Sequence, residues 1–409
     1  SEELKDLYLE KLISGKFSGT MNLTEPQAGS DLSVMNTVAE PIENSYKITG
    51  QKIFITWGEH DLSENIIHLV LARLPDAPEG VKGISLFLVP KFKMNTDGTL
   101  GERNTLKAVS VEHKLGIHGC ATCVMSFEEA EGFLVGEPNQ GLACMFTMMN
   151  DARIGVACES VAIAERAYQQ AVNYAKDRIQ GRTEFSQSRV SIINHPDVRR
   201  MLLSMKSLIE VMRVLVYENS FECDLAESKS EHNQRADLLT PITKAWCSEL
   251  CQEITSIALQ VHGGMGYVEE TGAAQHFRDA RITTIYEGTN GIQALDLVGR
   301  KLPMHNGRLL RSFFHLVKEY IEENAFNYNL KEIMPHLMKS FGRLQQATAF
   351  IASKGLSDPE EGAGPATDYL RMFALTSLAY VWVKYIDISN RICGLVYLSS
   401  KFFMKNTTK

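Results

Sequence analysis

The sequence lacks the features that mark membrane and secreted proteins. No apolar run in its 409 residues reaches the roughly 18 needed to cross a bilayer. The closest, residues 372–383, is interrupted by Thr376 and Ser377 and reads as a buried helix. The first residues, 1–6, are polar and acidic, unlike a signal peptide. We therefore predict no membrane span and a cytoplasmic location.

Positive charge is also scarce. The 42 Lys and Arg residues against 49 Asp and Glu give a formal charge of -7 and a pI near 5.9. This balance offers no general footprint for nucleic acid or anionic lipid. The eight cysteines are scattered and are expected to be free thiols. Cys120 and Cys123 form one Cys-x-x-Cys pair without a second pair at zinc spacing, so we predict no metal site.

The composition that remains is that of an ordinary globular protein, with 44% hydrophobic and 22% charged residues. The length predicts several cores. The predicted fold class is α+β, mostly α: a small antiparallel β-barrel or sandwich, an up-down four-helix bundle and an additional C-terminal helical domain. The predicted segments are 1–19, the end of an N-terminal helical domain; 20–135, the middle β domain; 136–302, the bundle; and 303–409, the C-terminal extension.

Hydrophobic periodicity underlies these boundaries. Residues 46–56, 66–73 and 83–90 are apolar runs separated by Gly, Pro, Asn and Asp, a pattern typical of strands. No helical pattern alternates with them, which disfavours a doubly wound parallel sheet. Helical seams then follow within residues 157–175, 198–215 and 242–261, and a fourth, shorter seam begins near Ile292. Pro303 breaks the pattern, and further helices are predicted over 308–400.

Two motifs in the β segment offer ligand-binding groups. Residues 23–31, Leu-Thr-Glu-Pro-Gln-Ala-Gly-Ser-Asp, form a turn-rich loop whose hydroxyls and N–H groups suit a phosphate or a heterocycle edge. An ordinary turn is the alternative. In residues 50–58, strand alternation places Phe54 and Thr56 on one face, where they could meet a flat cofactor. A core Phe beside a surface Thr is the alternative there.

A third motif lies in the helical segment. Residues 260–267 end a helix in glycines that allow close approach to a phosphate, and no strand precedes them as in a Rossmann fold. His262 alone is interpreted as a packing or capping histidine. Some twenty residues on, Tyr286, Glu287 and Gly288 place a carboxylate between an aromatic residue and a glycine. Such a carboxylate could be poised in an apolar cleft.

The order and spacing of these motifs resemble the acyl-CoA dehydrogenase family from residue 1 to about 302. The C-terminal helices resemble its larger bacterial branch, which includes enzymes of 3-methylmercaptopropionyl-CoA type. The resemblance implies FAD-dependent α,β-dehydrogenation of an acyl-CoA thioester to a trans-2-enoyl-CoA, with Glu287 as the base. It also implies an electron-transfer flavoprotein as partner. In the family an N-terminal helical domain precedes the first loop, and we expect this chain to carry only its end.

The resemblance further implies roles for individual residues. FAD contacts are implied for Leu23, Thr24, Ser30, Phe54, Thr56, Thr289, Asn290 and Gly291. Acyl-CoA contacts are implied for Ser30, Asn150, Arg153 and Gly288. Contacts to the FAD of a neighbouring subunit, in a homodimer or dimer of dimers, are implied for Arg178, Gln260, Gly263 and Gly264. The sequence departs from the family where Phe54 replaces the usual tryptophan and where residues 178–182 lack a frequent phenylalanine.

Three alternatives stay open at this point. An acyl-CoA oxidase would share the base and pass electrons to oxygen. A flavoprotein of the same fold that associates with nucleic acid would need a basic face, but Glu319, Glu322 and Glu323 dilute the loose basic cluster between Lys301 and Lys318. A chain without the N-terminal domain could also be an inactive fragment. The acyl chain and the oligomer size are not predicted.

Overall fold

The computed structural model describes residues 1–95, 97–226 and 230–392. The chain divides into two compact units, the first spanning Ser1–Asn150 and the second beginning at Asp151. The first is built mainly of strands and the second of helices. The predicted combination of a sheet with a larger helical part is therefore confirmed.

Strands form most of the first unit. Short helical pieces precede them: α1 (Glu2–Leu4), a π-helical turn (Lys5–Leu9) and α2 (Glu10–Ile13). The strands are β1 (Phe17–Asn22), β2 (Val38–Ile42), β3 (Ser45–Thr56), β4 (Asn65–Arg73), β5 (Ile84–Pro90), β6 (Phe92–Met94), β7 (Leu100–Arg103), β8 (Leu106–Val111) and β9 (Thr122–Val135). A 3-10 turn, Gly80–Gly83, precedes β5.

The sheet is mostly antiparallel. Its strand order is β1-β4-β2-β3-β9-β5, with β8 paired to β9 and a further pairing between β4 and β5. Strand β1 runs parallel to β4, and β2 meets β4 in parallel at the single pair Val38 and Arg73. Strand β5 is apolar except for Ser85 and buried at every position, as expected where a strand is covered on both faces. Strands β6 and β7 form a separate pair.

Long helices form the second unit. The α-helices are α3 (Gly141–Asp177), α4 (Pro196–Ala226), α5 (Ser230–His262), α6 (Ala273–Ala280), α7 (Asn290–Asp296), α8 (Met304–Asn324), α9 (Met334–Ser357), α10 (Pro359–Ala363) and α11 (Ala366–Ile392). Intervening 3-10 turns are Ile192–Asn194, Gly263–Tyr267, Glu269–Thr271, Arg281–Thr284 and Tyr328–Leu330, and Leu297–Lys301 is π-helical. The part of the predicted C-terminal helices beyond residue 392 lies outside the described residues.

The predicted seams form the core of this unit. Ala157, Ala164 and Ala171 of α3 are fully buried together with residues of α4, α5, α9 and α11. Alanines at this spacing let neighbouring helices approach closely, since they project little beyond the backbone. The run at residues 372–383 lies inside α11 and contributes fully buried Phe373 to the same core. Among the described residues, no helix has both the length and the apolar character that crossing a membrane requires.

Candidate functional site

A buried ion pair organises the first predicted loop. Lys52 of β3 is fully buried, and its Nζ donates to Glu25 Oε1 at 2.9 Å and to Leu23 O at 3.0 Å. The backbone N–H of Ile53 donates to Thr24 O at 2.9 Å. Side-chain and main-chain hydrogen bonds therefore join residues 23–31 and 50–58, which are two separate motifs in the sequence. We call Lys52 and Glu25 the sheet pair.

Glu25 is the centre of this network. Its carboxylate also accepts from Thr37 N at 3.0 Å, Thr37 Oγ1 at 2.5 Å, Asn36 N at 2.6 Å and Gln27 Nε2 at 2.6 Å. Burial alone would raise the pKa of Glu25, but Lys52 and these donors lower it to about 2. Burial lowers the pKa of Lys52 to about 8. Both partners are thus ionised at neutral pH.

Phe54 and Thr56 lie at the end of the strand that carries Lys52. A β-bulge interrupts pairing with β9 between Lys52 and Ile55, and Phe54 adopts a left-handed φ of 62°. Ile55 is buried, whereas Phe54 is 60% exposed and Thr56 is exposed. That Phe54 and Thr56 share a face stays a prediction, because the bulge interrupts the strand alternation on which it rests. A left-handed backbone at an exposed aromatic residue is strained, and such strain is concentrated at functional positions.

The other predicted positions of the first unit lie in the loop after β1 or within α3. Leu23 and Thr24 are half-buried and directly follow β1, and Ser30 is exposed. Asn150 is half-buried in α3. Helix α3 begins at Gly141, so Asn150 and Arg153 lie nine and twelve residues after its start.

The loop containing Glu287 is held by two side chains from neighbouring helices. Glu287 and Gly288 have left-handed φ values of 55° and 86°. Lys244 Nζ of α5 donates to Gly288 O at 2.8 Å and to Asn290 Oδ1 at 3.0 Å. Gln293 Nε2 of α7 donates to Glu287 O at 3.3 Å and to Gly288 O at 3.2 Å. Glycine at 288 adopts this left-handed backbone without strain, and a Cβ there would lie 2.5 Å from Gln293 Nε2 and displace it.

Two cations, Lys244 and Arg153, act on the half-buried Glu287 carboxylate. Burial raises its pKa, and Lys244 and Arg153 counteract part of that rise. Arg153 of α3 is buried, and its Nη1 lies 3.4 Å from Asp296 Oδ2. Burial together with Arg153 lowers the pKa of Lys244 to about 8. A carboxylate whose pKa is raised toward neutrality is suited to general-base chemistry.

The residues flanking Glu287 are also fixed. Tyr286 Oη donates to Glu159 of α3, whose pKa is raised by burial. Thr289 caps α7: its Oγ1 accepts from Ile292 N at 3.2 Å. Asn290 Nδ2 donates to Ser248 Oγ at 3.0 Å. The Glu287 loop therefore has anchors on α3, α5 and α7.

The structure does not bring every predicted residue to this loop. Gln260, exposed near the end of α5, is sixteen residues from Lys244, about 24 Å along the helix axis. Gly263 and Gly264 follow that helix end, as predicted. Arg178 is exposed just beyond α3, about 37 Å along the axis from Arg153. His262 is buried, its Nδ1 lies 2.7 Å from Ala258 O, and its ring packs against Tyr174.

Sequence reasoning missed the anchors of both groups. Lys244 lies between the seam residues Ile242 and Trp246, so a charged side chain inside a buried helical pattern was its only signal. Gln293 likewise follows Ile292 on a short apolar helix. Lys52 alternates with Phe54 in a strand, and nothing in the sequence shows that it is the buried partner of Glu25.

Known protein families match most of the chain. The acyl-CoA dehydrogenase middle domain matches residues 20–130, the acyl-CoA dehydrogenase C-terminal domain matches 139–302, and an acetyl-CoA dehydrogenase C-terminal-like domain matches 313–394.

Individual proteins match as well. The chain is 54% identical over 325 residues to 3-methylmercaptopropionyl-CoA dehydrogenase of Ruegeria pomeroyi, covering 78% of this chain and 55% of that protein. It is 34% identical over 300 residues to a short-chain-specific acyl-CoA dehydrogenase of Megasphaera elsdenii, covering 72% and 70%. The chain thus spans little more than half of the Ruegeria protein.

A solved structure resembles the fold over the whole length. The acyl-CoA dehydrogenase of Bacillus anthracis, in complex with FAD, aligns with a TM-score of 0.81 and 21% identity, covering 100% of this chain and 70% of that one. At this identity the likeness concerns the fold alone.

Proposed function

Because the chain belongs to the acyl-CoA dehydrogenase family, we propose that it catalyses FAD-dependent α,β-dehydrogenation of an acyl-CoA thioester with Glu287 as the base. The observation that carries this proposal is the environment of Glu287: a half-buried carboxylate on a left-handed, anchored backbone, with a raised pKa and two cations nearby. The similarity to 3-methylmercaptopropionyl-CoA dehydrogenase supports an acyl-CoA substrate. In finer detail, we propose that the sheet forms a barrel or sandwich, that the helices within residues 136–302 form an up-down four-helix bundle, and that the helices after residue 302 form an additional domain.

The residues present suit FAD. Exposed Phe54 offers an aromatic face, and Thr56 and Thr24 offer hydroxyls for the edge of a flat heterocycle. Thr289, Asn290 and Gly291 lie at the N-terminus of a helix and would hold polar parts of the cofactor, with Leu23 and Ser30 as further contacts. When bound, FAD supplies the acceptor for the hydride that leaves the β carbon.

Glu287 would remove the α proton of the thioester. Its raised pKa makes the carboxylate a stronger base, and partial burial limits competition from water. The Glu287 backbone N–H would donate to the thioester oxygen and stabilise the developing negative charge. Arg153 would attract the anionic substrate, with Ser30, Asn150 and Gly288 as further contacts.

The predicted residues that lie away from the Glu287 loop are consistent with a role between two copies of the chain. Arg178, Gln260, Gly263 and Gly264 lie far along their helices from the Glu287 loop, and their surfaces are exposed. We propose that they hold the FAD of a second copy in a homodimer. An electron-transfer flavoprotein is the proposed acceptor of the electrons.

The test is a flavin spectrum of the purified protein, reconstituted with FAD, followed by anaerobic bleaching with a panel of acyl-CoAs. Bleaching by at least one member is expected, and no bleaching by any acyl-CoA would overturn the proposal. Glu287→Gln should keep the flavin and slow bleaching by about 10² to 10⁴. The control Glu165→Gln, a half-buried carboxylate paired with Arg213, should bleach normally. Hydrogen peroxide release in air would indicate an oxidase instead.

A further inference from the structure

We propose that Lys244 is a positioning residue for Glu287: its ammonium group holds the Glu287–Gly288 backbone in place and supplies a positive charge that keeps the carboxylate ionised. This inference rests on the proposed function for its chemical consequence, since it assumes that Glu287 is the base. The anchoring itself stands on the hydrogen bonds of the structure and does not depend on the reaction.

The hydrogen bonds of Lys244 converge on one loop. Its Nζ donates to Gly288 O at 2.8 Å, directly after Glu287, and to Asn290 Oδ1 at 3.0 Å. Lys244 itself is buried, so neither bond competes freely with water. The backbone it holds is left-handed at Glu287 and Gly288. A strained backbone persists only when its surroundings fix it, and Lys244 is part of that fixation.

Gln293 provides a neutral anchor on the same backbone. It is buried, and its Nε2 donates to Glu287 O and to Gly288 O. The loop therefore has one charged and one uncharged anchor, from α5 and α7. This difference allows the mechanical contribution of Lys244 to be separated from its electrostatic contribution.

The charges around Glu287 are those of Lys244 from α5 and Arg153 from α3. Arg153 faces Asp296 at 3.4 Å, and Asp296 also accepts from Arg300 at 2.5 Å. Glu249 of α5 adds a negative charge near Lys244. Arg153 thus has a carboxylate partner that neutralises part of its field. Within the described chain, Lys244 Nζ forms no ion pair, and it lies 2.8 Å from the carbonyl oxygen of Gly288, the residue after Glu287, so its charge acts on that carboxylate across one residue.

The experiment compares three variants of the FAD-reconstituted protein. Lys244→Met removes an anchor and a charge, and Gln293→Leu removes an anchor only. Lys301→Met is the control, because Lys301 is equally buried but pairs with Asp237 at 2.8 Å. Amide hydrogen exchange over residues 286–291 measures the anchoring. The pH dependence of flavin bleaching by an acyl-CoA measures the ionisation of the base.

Exchange over residues 286–291 should accelerate by about tenfold or more in Lys244→Met and Gln293→Leu, and should not change in Lys301→Met. The acidic limb of the bleaching rate should move up by about one pH unit in Lys244→Met only, since a lost positive charge raises the pKa of a carboxylate. Unchanged exchange in Lys244→Met would overturn the anchoring. An unshifted limb in Lys244→Met, or an equal shift in Gln293→Leu, would overturn the electrostatic role.

Exchange needs no turnover, so it tests the anchoring even if the unmodified protein bleaches with no acyl-CoA. That result would refute the proposed function and leave the exchange comparison intact. If Lys244→Met loses its fold, exchange would rise across the whole helical unit rather than over residues 286–291. Gln293→Leu then still decides whether this backbone depends on its anchors.

Discussion

Each unit of the molecule buries a lysine that holds a predicted functional loop. Lys52 donates to Leu23 O in the sheet unit, and Lys244 donates to Gly288 O in the helical unit. Burial lowers the pKa of each to about 8. They differ in their partners: Lys52 has the Glu25 carboxylate at 2.9 Å, whereas Lys244 has a carbonyl and an amide oxygen.

We interpret Lys52 as a structural lysine, which stabilises the fold, and Lys244 as a positioning lysine, which holds the Glu287 loop. The charge of Lys52 is balanced where it lies, so removing it leaves an unpaired buried carboxylate and should affect folding most. Among the described residues the charge of Lys244 has no ion-pair partner, and Glu287 and Glu249 are the carboxylates that act on it. Its removal should affect chemistry more than stability. The predictions below test this contrast.

The largest effect is expected for Lys52→Met, which should destabilise the sheet unit by about 3–5 kcal/mol because Glu25 stays buried without its partner. Guanidinium unfolding would measure it through Trp57 fluorescence, in a background where the other two tryptophans, Trp246 and Trp382, are phenylalanine. Lys47→Met is the control, since Lys47 lies on the same strand as Lys52 and its pair with Glu129 of β9 is exposed. An unfolding midpoint for Lys52→Met equal to that of Lys47→Met would show that Lys52 is not a structural lysine.

The second-largest effect is expected from acid, which should reduce the stability that the sheet pair, Lys52 and Glu25, gives the sheet unit. The folded-state pKa of Glu25 is about 2, below its ordinary value of 4.5, so its stabilisation is complete above pH 4.5 and is lost as the pH falls through 2. The Trp57 unfolding midpoint should therefore decline between about pH 5 and pH 2. In Glu25→Gln the decline should be shallower. Parallel pH profiles for the two proteins would show that other carboxylates cause the acid sensitivity.

A smaller loss of stability, about 1 kcal/mol, is expected for Lys244→Met. Two hydrogen bonds are lost, but the unfavourable burial of an ammonium group is relieved, and Gln293 still donates to Gly288 O. Trp246, two residues away on α5, reports unfolding of this unit in a Trp57→Phe/Trp382→Phe background. A loss as large as that of Lys52→Met would mean that Lys244 is structural in the same sense.

The sequence offered candidate site residues but not their anchors. Glu287 was proposed from its motif and Phe54 and Thr56 from strand alternation, because local patterns alone suggest such candidates. The link between Glu25 and Lys52 joins residues 27 apart, and the link from Lys244 to Gly288 spans 44. Such contacts depend on how elements pack, which periodicity does not specify.

The organisation of the chain shows the same limit. Helical seams were predicted because apolar spacing of 3.6 residues is local. The predicted bundle segment begins at residue 136, close to the observed start of α3 at Gly141. The bulge in β3 was missed, because its left-handed position is occupied by Phe54 rather than by glycine.

That bulge gives the smallest predicted effect. The backbone of Phe54 is left-handed, with φ of 62°, which costs conformational free energy in the folded state. The side chain is 60% exposed, so its burial offsets little of that cost. Phe54→Gly should relieve the strain and stabilise the FAD-free sheet unit by about 0.5–1 kcal/mol in the Trp57 unfolding assay, net of the greater freedom of glycine when unfolded. FAD affinity should fall at the same time, because the aromatic contact is lost. Val109→Gly is the control: this exposed apolar position on β8 has no left-handed backbone, so the same change there should destabilise. If Phe54→Gly also destabilises the sheet unit, the packing of the Phe54 side chain outweighs the strain of its backbone. The strain would then be no evidence for a role of Phe54 in binding FAD.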